Sequence, residues 1–209
     1  MTFGFFIIAC AAALLYACAG VVATLIASVL IPRLPMLEES PRGRTLPLWL
    51  LPAAYAVLGV VVLFGHASVE QLGIIAVLCI PLGAIIIVDM AKGLIPDLLT
   101  VVPMVVLLVW NGMHGPWLPM LVGAAVPFAA FALSAALSKG RGMGWGDAKL
   151  AAFGGAILGL APSLIAFALA SLVAVAVAMI AKRAATEPIA FGPYMVAAII
   201  VGMLVQAHR

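Results

Sequence analysis

Leu72-Gly73-Ile74-Ile75-Ala76-Val77-Leu78-Cys79-Ile80-Pro81-Leu82-Gly83-Ala84-Ile85-Ile86-Ile87-Val88-Asp89 is an uncharged apolar run that ends abruptly on a carboxylic acid. A helix needs about 20 apolar residues to cross the hydrocarbon core of a bilayer. Comparable runs occur at 3–31, 46–64, 98–111 and 117–138, and again at 149–160, 163–181 and 189–206. Hydrophobic residues make up 67% of the 209 and charged residues 8%, against roughly 45–50% and 25% in soluble domains. Ten basic and seven acidic side chains could not cover a soluble surface. That composition excludes a soluble globular enzyme, a nucleic-acid-binding domain and a disordered chain. The chain reads as an all-α polytopic membrane protein with about eight transmembrane helices. Run 149–160 is short, and Pro162 interrupts the apolar stretch that follows it. The count falls to seven if 149–160 is re-entrant.

The polar connections set the orientation. Arg33, Arg42 and Arg44 fall in 32–45, Lys92 in 89–97, Lys139, Arg141 and Lys149 in 139–149, and Lys182 and Arg183 in 182–188. Connections 65–71 and 112–116 hold His66, Glu70 and His114 but no Lys or Arg. Under the eight-span count only Arg209 lies opposite the other basic residues, so that basic side is expected to be cytoplasmic and both termini external. The first apolar stretch has no basic n-region and is far longer than a signal-peptide core of about 7–15 residues. It is expected to be a retained span. Cys10, Cys18 and Cys79 lie inside apolar stretches without metal or redox spacing and read as small apolar side chains.

Chemistry concentrates in the acids. Glu38, Glu39, Glu70 and Glu187 read as solvated loop charges. Asp89, Asp97 and Asp147 instead lie at or just beyond the basic ends of spans, where an ionisable group is a functional hypothesis by default. Asp147 stands in Gly142-Met143-Gly144-Trp145-Gly146-Asp147-Ala148-Lys149-Leu150. Its three alternating glycines admit two readings: a flexible loop whose Asp caps a helix starting near Ala148, or a backbone that lets another chain approach closely. Two aspartates at one membrane level suit aspartic-protease chemistry. Like charges a few ångströms apart cannot both ionise, so one carboxyl keeps a proton while the other activates water.

Three blocks give the chain a resemblance to the type IV prepilin leader peptidases, which are polytopic membrane aspartic endopeptidases. Asp89-Met90-Ala91-Lys92-Gly93-Leu94-Ile95-Pro96-Asp97 is similar to the family's Asp, five residues, then Ile-Pro-Asn/Asp. Gly144-Trp145-Gly146-Asp147-Ala148-Lys149-Leu150 is similar to its Gly-x-Gly-Asp-x-Lys-Leu, and Phe191-Gly192-Pro193 to its Phe-Gly-Pro. Together they cover 80–206, the expected peptidase core of one membrane-embedded domain, 1–209. The resemblance implies Asp89 and Asp147 as the catalytic pair, with Gly144, Gly146, Lys149, Pro96 and Asp97 as motif support or substrate contacts. Lys149 reads either as a snorkelling interfacial anchor or as a charge acting on an aspartate. Pro96 suits a helix's first turn, and Asp97 there would serve the free backbone N–H groups.

The resemblance also implies the substrate: precursors of type IV pilins or pseudopilins, whose short basic leader is cut at the cytoplasmic face of the bacterial inner membrane. Arg33-Leu34-Pro35 resembles the family's N-terminal part, with Ser28 where many members have Asn. Segment 32–45 is a shortened connection in place of the large cysteine-bearing loop, so cleavage without N-methylation is expected. No cofactor, metal or nucleic-acid partner is expected, since no phosphate-binding Gly-rich or zinc-binding His motif occurs. The rival reading is a proton- or cation-coupled transporter with intramembrane carboxylates.

Overall fold

The apolar run 72–88 lies inside a longer helix, α3 (Val69–Lys92). The computed structural model describes residues 3–34, 47, 49–64, 68–138, 143–180 and 190–207. Ser68 starts α3: its hydroxyl accepts the Gln71 N–H at 3.2 Å, and the Gln71 side-chain oxygen accepts the Ser68 N–H at 2.8 Å. Both halves of a capping box are present. Glu70 therefore stands in the first helical turn, where a negative charge suits the helix dipole, and not in a connecting loop. At the far end Gly93 adopts a φ of 67° and donates its N–H to the Asp89 carbonyl at 2.8 Å, a left-handed helix stop.

Seven further α-helices are present among the described residues, with no strand. They are α1 (Phe3–Leu30), α2 (Leu50–Phe64), α4 (Asp97–His114), α5 (Trp117–Leu137), α6 (Trp145–Leu158), α7 (Leu160–Ile180) and α8 (Gly192–Ala207). A single 3-10 turn, Ile31–Arg33, extends α1. The expected all-α membrane architecture is thus present. Five helices (α1, α3, α4, α5 and α7) are long and apolar enough to cross a bilayer. Helix α6 has 14 residues, about 21 Å at 1.5 Å per residue, which is short of a core about 30 Å thick. It also begins at Trp145, ahead of the expected run 149–160, because Gly144 caps it there.

The break after α6 has a different cause from the one expected. Gly159 takes a φ of 79°, a conformation that side chains disfavour, and α7 resumes at once at Leu160. Pro162 falls in the first turn of α7, where its missing N–H has no intrahelical partner to lose.

Helix α3 is the central element. In its most apolar window 56% of residues are buried by protein, against 11% for α4. Tyr16 of α1 donates its hydroxyl to the Leu72 carbonyl, and Tyr55 of α2 donates to the Cys79 carbonyl at 2.7 Å. Such buried hydroxyls need partners because no water is available at that depth. Cys79 is buried beside them, whereas Cys10 and Cys18 face outward. Helices α5 and α6 approach until Gly123 and Gly155 meet backbone to backbone, with Gly159 against Gly123 as well. A Cβ at either contact would collide with a carbonyl, which is the small-residue packing that brings membrane helices close. The outward faces of α4 and α7, including Val102, Val106, Trp110, Ile165 and Leu172, remain apolar and exposed, as lipid-facing surfaces must be.

Candidate active site

The end of α3 and the starts of α4, α6 and α8 gather at one end of the bundle, joined by contacts of Asp89 with Gly192, Ile95 with Gly146 and Asp97 with Lys149. Asp89 lies in the last full turn of α3 and is buried. Its Oδ2 accepts the backbone N–H of Gly192, the first residue of α8, at 3.1 Å. Gly192 has no room for anything larger. A Cβ there would stand 2.7 Å from Asp89 Oδ2 and 3.1 Å from its Cγ. The positive end of the α8 dipole thus faces the Asp89 carboxylate.

Asp147 is the third residue of α6, in its first turn ahead of the apolar stretch from Leu150. Its Oδ2 accepts the N–H of Gly144 at 3.0 Å. Of the two readings, the cap is present in reversed form: Asp147 lies inside the helix and reaches back to the residue before it. Burial raises the Asp147 carboxyl to about 6, with the Gly144 hydrogen bond pulling in the opposite direction. A carboxyl so placed keeps its proton into weakly acidic solution.

The connection 93–96 between α3 and α4 supports this turn. Ile95 is buried, and a Cβ on Gly146 would come within 2.9 Å of the Ile95 Cβ, so the α6 start lies directly on the connection. Pro96 is the residue immediately before α4, with φ −68° and ψ 138°. Asp97 opens α4 as expected, yet it makes no side-chain bond to the helix's free N–H groups. Its Oδ1 instead binds Lys149 Nζ at 2.6 Å, tying α4 to α6. Trp145 is exposed.

Arg33 and Leu34 follow α1, with Leu34 packed against the core. Pro35 and the rest of the shortened connection up to residue 46 lie outside the described residues, as do Lys139, Arg141, Lys182 and Arg183. No group of three His, Cys, Asp or Glu side chains converges on a metal-sized site among the described residues. An apolar cavity of about 230 Å³ lies toward the other end of the bundle, lined by Gln71, Leu78, Leu107, Met120, Ile157 and Met203. Its Gln71 wall lies in the first turn of α3, at the opposite end of that helix from Asp89.

A family model described as the type IV leader peptidase family matches residues 76–180. That half of the chain contains Asp89, the 93–97 connection, Asp147 and Lys149. The chain belongs to the type IV leader peptidase family. Membership of this family indicates peptidase activity, carried here on the helices of a multi-pass membrane protein. No curated protein and no solved structure matches the chain.

Two contacts at the start of α8 are not readable from residues in order. Gly192 was visible within Phe191-Gly192-Pro193, but its backbone contact with Asp89 joins positions 103 residues apart. Phe191 likewise stacks on Phe131 of α5, with ring centroids 6.3 Å apart, and Phe131 meets Phe167 of α7 edge-on. The sequence signals for either are the Phe-Gly-Pro resemblance and the position of that block at the start of the last apolar run.

Proposed function

We propose that this protein is a membrane aspartic endopeptidase that removes the basic leader from type IV pilin or pseudopilin precursors. Asp89 and Asp147 are its catalytic pair, at the cytoplasmic face of the bacterial inner membrane. The observation that carries the reading is the gathering of both carboxylates at one end of the bundle, each accepting a backbone N–H at a helix start. The same end bears Arg33, Lys92 and Lys149, in keeping with a cytoplasmic face.

In this reading Asp89, facing the α8 dipole, is the ionised partner and Asp147 holds the proton. Asp89 takes a proton from water as the water oxygen adds to the scissile carbonyl carbon. Asp147 donates its proton to the carbonyl oxygen, giving a neutral tetrahedral diol. Collapse of that diol breaks the C–N bond: the proton held on Asp89 passes to the departing amine, and a diol hydroxyl returns its proton to Asp147. The leader leaves as a carboxylic acid, and the mature chain begins with a free amine. The pair is expected to titrate as one coupled unit.

Cleavage is the only reaction assigned. Segment 32–45 is too short for a folded methyltransferase loop, since even small domains lacking metal or disulfides need about 40 residues. The transporter alternative calls for carboxylates near the bilayer midplane, whereas the acids described here cluster at helix ends. The test is cleavage of a synthetic precursor by the purified protein in detergent, followed by mass spectrometry of the new N-terminus. Asp89→Asn and Asp147→Asn should each lose at least about 1,000-fold in rate, and the double variant should be little worse, because residues acting as a unit are not additive. Substantial cleavage by either single variant overturns the pair. A methyl group on the product amine overturns the single-activity assignment.

A further inference from the structure

We propose that Asp97 and Lys149 form a positioning clasp that sets the spacing between the two halves of the candidate active site. The inference rests on the peptidase reading above and deepens it. Asp89 ends α3, and Asp147 begins α6. No helix is common to both, so their relative position depends on the packing of α6 against α4 and α8 and on what joins the connection 93–96 to the first turns of α6. Two contacts make that junction. One is the close approach of Gly146 to Ile95. The other is the 2.6 Å bond from Lys149 Nζ to Asp97 Oδ1.

The clasp spans the two elements at the right places. Asp97 is the first residue of α4, directly after Ile95-Pro96, and Lys149 lies two residues after Asp147. A shift of the α6 start away from the connection would stretch this bond together with the contact of Gly146 on Ile95. The pair is only partly shielded, at 33% exposure for Lys149 and 64% for Asp97. Exposed ion pairs add little to folding stability, so this one acts on geometry and not on whether the chain folds. Small displacements are costly to catalysis: about 1 Å can cost on the order of 100-fold in rate.

Lys149 is therefore a positioning residue with its charge committed to Asp97. A Lys149 that held the basic leader would be placed poorly for it, since like charges repel. A Lys149 that served only as an interfacial anchor would be indifferent to the residue at 97.

Kinetics of the full-length protein in detergent separate these roles, with a synthetic peptide carrying a basic leader and the following apolar stretch as the probe. Asp97→Ala and Lys149→Met should each lower kcat about 10- to 100-fold with KM within about twofold. Lys149→Arg should keep most activity. The charge exchange Asp97→Lys with Lys149→Asp should recover at least about tenfold over either member alone. A raised KM at unchanged kcat, an absence of loss, or an exchange no better than its single members overturns the clasp.

A second arm needs no substrate. Spin labels at Val102→Cys and Trp145→Cys, in the chain with Cys10, Cys18 and Cys79 replaced by Ala, report the distance between the starts of α4 and α6. One narrow distance is expected, broadened by Lys149→Met and narrowed again by the exchange. If the unaltered chain cuts nothing, the peptidase reading falls and this arm alone judges the spacing role. A distribution insensitive to Lys149→Met overturns the clasp whatever the cleavage assay reads.

Discussion

Asp89 and Asp147 are held by the same kind of bond made in opposite ways. Asp147 takes its N–H from Gly144, three residues back along its own turn. Asp89 takes its N–H from Gly192, at the start of a helix that the chain reaches only after four intervening helices. The first carboxylate carries its support with it wherever α6 goes. The second exists as a site only when α3 and α8 pack. The two therefore differ in how they can fail: one through local backbone geometry, the other through helix packing.

The largest effect that separates them is expected at the glycines. Gly192→Ala puts a methyl group 2.7 Å from Asp89 Oδ2, closer than real Cβ atoms come, so the carboxylate or the start of α8 must move. Gly144→Ala places its methyl 3.4 Å from Asp147 Oδ2, an ordinary contact, at a φ of −84° that alanine adopts freely. Cleavage should fall about 100-fold or more in the first and about twofold or less in the second. Precursor cleavage at matched protein level decides it. Equal losses would mean that the two supports are not different in kind.

That asymmetry also explains what could be read without coordinates. The helical membrane fold was legible because apolar runs without charge leave few alternatives. Asp147 was legible as an acid at a span end within Gly144-Trp145-Gly146-Asp147, and its donor lies inside that same turn. Asp89 was visible as an acid ending an apolar run, but its donor was not, because no local pattern marks a contact across 103 residues. Asp97 shows the opposite error. Its place at the start of α4 was correct, yet local reasoning assigned its oxygen to nearby N–H groups when a cation on α6 was the better partner. The break between α6 and α7 is a similar case. Pro162 is conspicuous in the sequence, but Gly159, with φ 79°, makes the turn.

An intermediate effect is expected where the two regions touch. Gly146→Ala would bring its Cβ within 2.9 Å of the Ile95 Cβ. Ile95 is buried, and no side-chain rotation moves a Cβ, so the collision cannot be relieved without a backbone shift. The connection 93–96 carries the displacement instead, and it has more freedom than a packed helix. A loss of about tenfold in kcat/KM is expected, smaller than for Gly192→Ala because the collision reaches the carboxylates only indirectly. A loss as large as that of Gly192→Ala would place Gly146 directly against the substrate or a catalytic oxygen.

The smallest effect is a displacement of a pH profile, and it bears on the local support alone. Asp147 must be protonated to donate, so activity should fall as pH rises past its titration near 6. The Gly144 N–H favours the charged carboxylate and so opposes the upward push of burial. Gly144→Pro removes that N–H but keeps the carbonyl that accepts the Asp147 N–H. Proline is at home in this position: Pro96 and Pro116 already precede α4 and α5 with φ of −68° and −74°, not far from the −84° of Gly144. Losing the N–H leaves burial less opposed, so the Asp147 carboxyl should titrate higher. The alkaline limb of kcat should then move upward, by up to about one pH unit for a bond worth about 1 kcal/mol. Gly144→Ala keeps the N–H and should leave the limb where it is. An acid limb that moves upward in Gly144→Pro while the alkaline limb stays in place would show that Asp147 is the ionised partner and that the roles of the two carboxylates are exchanged.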